Sequence, residues 1–156
     1  MFEIECVVVG AGVVGLAIAR RLAASGREVL VLEAEADKGQ HASSRNTGVI
    51  HAGIGYAPGS LKSRLCLRGK HLLYQYCSER NIPDATPGKL VIANPMDGSG
   101  GLDHLRGLRE LSVREGLTDL HFLSEREVHT MEPELLCSGA LWSPTSGIID
   151  VHAYMD

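Results

Sequence analysis

The four cysteines, Cys6, Cys66, Cys77 and Cys137, form no C-x-x-C pair and sit at no zinc-finger spacing. That removes the usual cysteine-based redox and zinc motifs and leaves buried, reduced thiols of a cytosolic protein. His104, His121, His129 and His152 have no metal-ligand spacing among themselves, so no metal is expected. A basic leader is also missing: only Glu3 and Glu5, with no Lys or Arg, precede the apolar run from Cys6 to Ala19. That run is broken by Gly10, Gly12 and Gly15 and is too short to cross a bilayer, so no transmembrane segment is expected. The net charge of −4 supplies no attractive field for nucleic acid or anionic lipid. There is no internal repeat, low-complexity stretch or heptad pattern. A cytoplasmic protein is expected, with peripheral membrane association left open.

What remains is 156 residues of ordinary globular composition, 44% hydrophobic and 22% charged, enough for one domain with a real core. Its glycines are informative. Ile4 to Val9 reads as a buried strand, Leu16 to Ser25 as a helix and Glu28 to Leu32 as a second strand. Between the first strand and the helix stands Gly10-Ala11-Gly12-Val13-Val14-Gly15, which fits G-x-G-x-x-G. Gly10 permits a tight turn, Gly12 lets a diphosphate approach the backbone, and Gly15 lets the helix pack on the strand. The N–H groups of the helix start, at Val13 and Val14, face the phosphates. Glu33, 18 residues after Gly15, is placed to accept hydrogen bonds from the adenosine ribose hydroxyls. An acid there argues against a 2′-phosphate and therefore against NADP.

NAD and FAD both fit this fingerprint. The following segment separates them. The second strand runs into a long polar loop that opens at Ala34 and carries Ser43, Ser44, Arg45, Asn46 and Thr47 in a row. Such a run supplies donors for the diphosphate and ribityl part of a longer cofactor, with Arg45 suited to fork onto oxyanions. Gly48 and Gly53 allow backbone to lie against a flat ring. If Gly48 does so, extended chain places His51 on the pocket side of that ring. There it could take a substrate hydroxyl proton or pair with a carboxylate.

The fingerprint with Glu33, then "SSRNTGVIHAGIGY", "GSLKSRLCLRGKHLLYQYC", "GKLVIA" and "PTSGIID", resembles the D-amino-acid-oxidase-like family of FAD-dependent oxidoreductases. Within that family the likeness is strongest to members that oxidise L-2-hydroxyglutarate. The resemblance implies FAD as cofactor and an α/β fold. In that fold a Rossmann-like FAD-binding βαβ unit over residues 1–87 is followed by the start of an α+β substrate domain over 88–156. It implies oxidation of a small 2-hydroxy acid by hydride transfer to the flavin N5, with quinone or oxygen as electron acceptor. The cofactor residues would be Gly10, Gly12, Val13, Val14, Gly15, Glu33, Ala34, Ser43, Ser44, Arg45, Asn46, Thr47 and Gly48. His51 would be the catalytic residue, with Tyr56 and Lys89 (the lysine of "GKL") beside it at the substrate. Members of the family are longer than this chain, and the closing "DVHAYMD" reads as the beginning of a helix, so an N-terminal portion is expected. Related chemistries remain as alternatives: a glycerol-3-phosphate dehydrogenase, an amino-acid or amine oxidase, or a nucleotide-binding remnant without catalysis.

Ser60 to Arg80 reads as a capped helix with Leu61, Leu65, Leu72, Leu73 and Tyr76 on one apolar stripe, and with Lys62, Arg64, Arg68 and Lys70 mostly on a solvated face. Leu90–Asn94, Leu120–Leu123, Ala140–Trp142 and Gly147–Asp150 read as strands, and Leu102–Glu115 as a helix. Ser124 with Glu127 fits a capping box.

Overall fold

A computed structural model describes residues 3–156. In chain order the elements are β1 (Cys6–Val9), α1 (Val13–Ala23), β2 (Val29–Leu32), β3 (Val49–Ile50), α2 (Leu61–Arg80), β4 (Asp84–Ala85) and β5 (Lys89–Ala93). A 3-10 turn at Pro95–Asp97 follows, then α3 (Ser99–Arg114), β6 (His121–Ser124), α4 (Glu125–Met131), β7 (Gly139–Ser143), β8 (Gly147–Ile149) and α5 (Val151–Met155). Contacts divide the chain into two compact units. One runs up to Gly48 and includes Asp150–Asp156; the other is Val49–Ile149. Residue 88, where the sequence suggests that the second domain begins, lies inside the second unit, between β4 and β5.

In the first unit β1 and β2 pair in parallel, from Cys6 opposite Val29 to Val9 opposite Leu32, with α1 as the crossover. The helix starts three residues earlier than its hydrophobic pattern suggests. Gly12 is its extended N-cap, so Val13, Val14 and Gly15 already form the first turn. Gly26, at φ +86°, ends the connection as a left-handed glycine, the conformation that costs glycine least. At the other end of the unit, Asp150 caps α5 by accepting from the amides of His152 and Ala153 at 2.9 and 3.0 Å. Met155 of that helix lies against Gly39, where an added Cβ would stand 2.7 Å from the methionine methyl.

The second unit holds two antiparallel sheets, ordered β5-β7-β6 and β3-β8-β4. Its core is Leu105 from α3, Leu117 and Leu120 ahead of β6, and Leu141 from β7, none more than 3% exposed, with Ala52 and Ala93 filling beside them. Each such leucine stabilises the unit by about 1.5–3 kcal/mol. The capping box is present: Ser124 Oγ accepts from Glu127 N while Glu127 accepts from Ser124 N at 2.7 Å. The two-residue strands β3 and β4 are invisible to hydrophobic periodicity, since they exist only through pairing with β8.

Helix α2 begins at its Ser60 cap, as the sequence indicates. Its buried face is different. Leu61, Leu65 and Leu72 are exposed, whereas Ser63, Lys70 and Cys77 are buried. These three stand seven residues apart, two helical turns, and so form one stripe. A turn rich in hydrogen-bonding groups explains the choice of face. The Lys70 ammonium, which belongs to no solvated surface, donates to Thr145 Oγ1 at 2.7 Å. Thr145 Oγ1 donates in turn to Asp119 Oδ2 at 2.6 Å, and Tyr74 donates its hydroxyl proton to the Thr145 carbonyl at 3.1 Å. A buried ammonium is tolerable because a hydroxyl relays it to a carboxylate.

Candidate functional sites

The first site is built from the first unit alone. Gly10 takes φ +98° as the chain leaves β1, a conformation that an L side chain rarely adopts. A Cβ on Gly15 would run into the Gly10 carbonyl, with Val8 Cγ1 at 3.5 Å behind it. The helix therefore lies on the strand at a distance only glycine permits. Gly12 offers no side-chain cap to α1. Beyond Val13, the first-turn amides of Val14 and Gly15 are thus available to an oxyanion, in the positive end of the helix dipole. Ser43 arrives from the long loop: its Oγ accepts from Val13 N at 3.0 Å, which leaves its own proton free for a second acceptor.

Glu33 closes the site from the end of β2. Its Oε2 accepts from Ala11 N at 2.6 Å, and its Oε1 accepts from Ala34 N and Glu35 N at 2.8 and 3.0 Å. These hydrogen bonds, led by that from Ala11, hold the carboxyl below its ordinary pKa. Glu33 is exposed and ionised, and it fastens the glycine turn to the loop after β2. One acceptor position on Oε2 stays available by lone-pair count.

Within the loop, Asn46 turns inward. Its Nδ2 donates to the carbonyls of Ala42 and Ser43 at 3.1 and 2.9 Å, and its Oδ1 accepts from Gly48 N at 2.8 Å. Asn46 thereby shapes the segment that presents Ser43. Ser44 Oγ donates to the His41 carbonyl at 3.3 Å. Arg45 and Thr47 are exposed side chains, and Gly48 is buried at φ +63°. A diphosphate suits this set: bare glycine at the helix start, amide donors, one spare hydroxyl proton and an acid at the far end.

The second site is a cavity of about 300 Å³ within the second unit. His51, Tyr56, Lys62, Lys89 and Ser146 supply its polar lining, with Val49 and Ile54 among the apolar walls. Burial, then the charge of Lys89 and of Lys62, lowers the His51 pKa below its ordinary 6.5. The imidazole is therefore neutral at pH 7, the form a general base requires. Tyr56 is held protonated: burial raises its pKa, and the neighbouring Cys66 adds to the effect. Cys66 donates its thiol proton to the His51 carbonyl at 3.2 Å, fixing the backbone that carries the imidazole. Gly53 and Gly55 follow at φ +98° and +68°, so the wall turns sharply between His51 and Tyr56.

His51, Tyr56 and Lys89 thus share one cavity, while Gly10 to Gly15, Glu33, Ala34 and Ser43 share the other site. Sequence reasoning misses Ser146 and does not single out Lys62. Lys62 is one of four bases on a helix, any one of which could meet an acidic substrate, with no signal marking which of them lines the cavity. Ser146 enters the lining because β7 and β8 form a tight connection in which Ser143 Oγ and Ser146 Oγ lie 3.0 Å apart. The Ser146 carbonyl also receives Gly88 N at 3.1 Å, next to Lys89.

Comparison with known proteins identifies the family. A family model described as FAD dependent oxidoreductase matches residues 5–156. The mitochondrial L-2-hydroxyglutarate dehydrogenase of Arabidopsis thaliana is 49% identical over 153 residues, covering 98% of this chain and 31% of that protein. The Homo sapiens protein of the same name is 37% identical over 150 residues, covering 94% of this chain and 31% of its own length. The chain thus spans about a third of the length of the curated relatives it matches. Among solved structures, an L-alpha-glycerophosphate oxidase from Mycoplasma pneumoniae with FAD bound superimposes with a TM-score of 0.88 at 27% identity. That match covers 99% of this chain and 41% of the other. A glycine oxidase from Geobacillus kaustophilus, at TM-score 0.83 and 24% identity, covers 97% and 42% and shares the fold. Among the described residues no helix is long and apolar enough to cross a membrane.

Proposed function

The chain belongs to the FAD-dependent oxidoreductase (DAO) family, whose cofactor is FAD, and from that premise we propose that it serves the oxidation of a small 2-hydroxy acid resembling L-2-hydroxyglutarate. The reading assigns residues 1–87 to the FAD-binding part and 88–156 to the start of the substrate-binding part. In the first, the Val14 amide and the Ser43 hydroxyl, itself held by the Val13 amide, bind the diphosphate, with exposed Arg45 as a counter-charge. Glu33 accepts from the ribose. Bound FAD supplies the acceptor for the two electrons that leave the substrate carbon with its hydrogen.

The remaining work falls to the second site. Neutral His51 accepts the proton of the substrate hydroxyl as the 2-oxo acid forms. Lys89 neutralises the carboxylate beside the reacting carbon, and the Tyr56 hydroxyl orients it. The supporting observation is the cavity itself, where a histidine biased to neutrality meets lysine charge and no acid lines the wall. The electron acceptor that follows, quinone or oxygen, lies outside these residues. The relatives carry "mitochondrial" in their names, whereas the sequence alone suggests the cytoplasm.

A second reading, oxidation of glycerol 3-phosphate, draws on the likeness to the Mycoplasma enzyme. The two separate in one experiment. The full-length flavin-loaded protein is mixed anaerobically with L-2-hydroxyglutarate, D-2-hydroxyglutarate, glycerol 3-phosphate or glycine, and the visible flavin band is followed. Bleaching by L-2-hydroxyglutarate first and fastest is expected. Bleaching by glycerol 3-phosphate or glycine alone replaces the substrate, and bleaching by none of the four removes the reading.

A further inference from the structure

The cavity at His51 holds two ammonium groups brought from separate elements: Lys62 from the first turn of α2 and Lys89 from the start of β5. Among the described residues neither stands within ion-pair distance of a carboxylate. The cavity lining contains no Asp or Glu. Lys62 is not free to sweep through solvent without loss, because its ammonium sits 4.3 Å from the centroid of the Tyr56 ring. A cation over an aromatic face is attracted to it by the ring quadrupole. The stem is set by the helix start, where Ser60 Oγ accepts from Ser63 N at 3.1 Å. Two positive charges, brought from separate elements and without an ion-paired carboxylate among the described residues, call for two negative charges from the ligand. A monoanion would leave one ammonium unpaired in a partly desolvated site, which costs affinity.

We propose that Lys62 and Lys89 form a two-point anion clamp and that Lys62, seated on Tyr56, holds the second carboxylate and so sets a preference for 2-hydroxydicarboxylates over 2-hydroxymonocarboxylates. The proposal rests on the reading of this cavity as the substrate site of a 2-hydroxy acid oxidoreductase. Lys62 is therefore a specificity-determining residue. Charge distinguishes it from a packing residue: Lys62→Arg preserves the function and Lys62→Met removes it. The Tyr56 ring explains why a lysine on an exposed turn acts in one direction. Tyr56→Phe keeps the ring face and hence the clamp, while Tyr56→Ala releases it.

Two measurements on the full-length, flavin-loaded protein test the clamp. The first is the ratio of kcat/KM for L-2-hydroxyglutarate to that for L-2-hydroxybutyrate. The second is calorimetric binding of glutarate and of butyrate, which needs no turnover. In Lys62→Met both the kcat/KM ratio and the ratio of glutarate to butyrate affinity fall on the order of tenfold. The change in turnover is carried by KM, and Lys62→Arg restores most of it. Equal losses on dianion and monoanion, or unchanged ratios, overturn the clamp even if the wild-type enzyme oxidises L-2-hydroxyglutarate well. If the wild-type protein oxidises neither acid, yet Lys62→Met still loses glutarate selectively, the clamp stands and the catalytic reading fails. If it oxidises neither acid and binds glutarate no better than butyrate, both are overturned.

Discussion

Gly15→Val is expected to yield protein that retains little or no flavin and melts well below wild type. The clash is with backbone: a Cβ at this position overlaps the Gly10 carbonyl, which no rotamer can relieve, and the branches of valine add contacts with Val8. To admit it, α1 must lift from β1, breaking the turn that holds the first amides of the helix in place. Overpacking of this kind costs about 1–3 kcal/mol, and more where the obstacle cannot move. The measurement is the ratio of flavin to protein absorbance after gel filtration, paired with a thermal melt. Gly12→Ala is the matched comparison. Its Cβ would stand 3.1 Å from Ser43 Oγ, a side chain that can rotate away, so partial flavin retention is expected. Wild-type flavin content in Gly15→Val would show that the close packing of α1 on β1 does not shape the cofactor site.

His51→Asn is expected to lower kcat by about a hundredfold to ten-thousandfold, the usual contribution of a positioned general base. The pH profile carries the sign. Burial, then Lys89 and Lys62, favour the neutral imidazole and place its pKa below 6.5. The base form therefore persists as pH falls through 6.5 and is lost only below it. The acid limb of kcat/KM in the wild-type enzyme should accordingly lie on the acid side of 6.5. In His51→Asn that limb should disappear along with the rate. Tyr56, Cys66, Lys62 and Lys89 are the other titrating groups around the imidazole. Burial raises the Tyr56 and Cys66 pKa values, so neither supplies an acid limb in this range. A fall of less than tenfold with the limb unchanged would assign the proton transfer to another group.

The two sites differ in how far the sequence reveals them, for a physical reason. Every part of the glycine turn is local: strand, turn, helix, strand and acid follow one another between Cys6 and Glu33, and each glycine has a steric task readable from spacing. Periodicity fails where long-range hydrogen bonding outweighs hydrophobic pattern. The leucine stripe of α2 looks like a buried face, yet Lys70 and Tyr74 turn the opposite face inward to satisfy the Thr145 turn, 75 and 71 residues away. The cavity at His51 depends on the same kind of distant pairing. Lys62 and Lys89 become neighbours of one imidazole only after α2 and the β5-β7-β6 sheet have assembled. Ser43 shows the intermediate case. A polar run is legible, but that this hydroxyl, 30 residues from Val13, caps its amide is not.

The glycine turn is the element on which cofactor binding depends, and a crystal structure of the full-length protein with FAD tests its role as a diphosphate site most directly. Diphosphate oxygens within hydrogen-bond reach of the Val14 amide and of the Ser43 hydroxyl, which still accepts from Val13 N, with a ribose hydroxyl on Glu33 Oε2, are the expected result. A flavin nucleotide whose diphosphate lies away from this turn, while Glu33 touches no ribose, would contradict it.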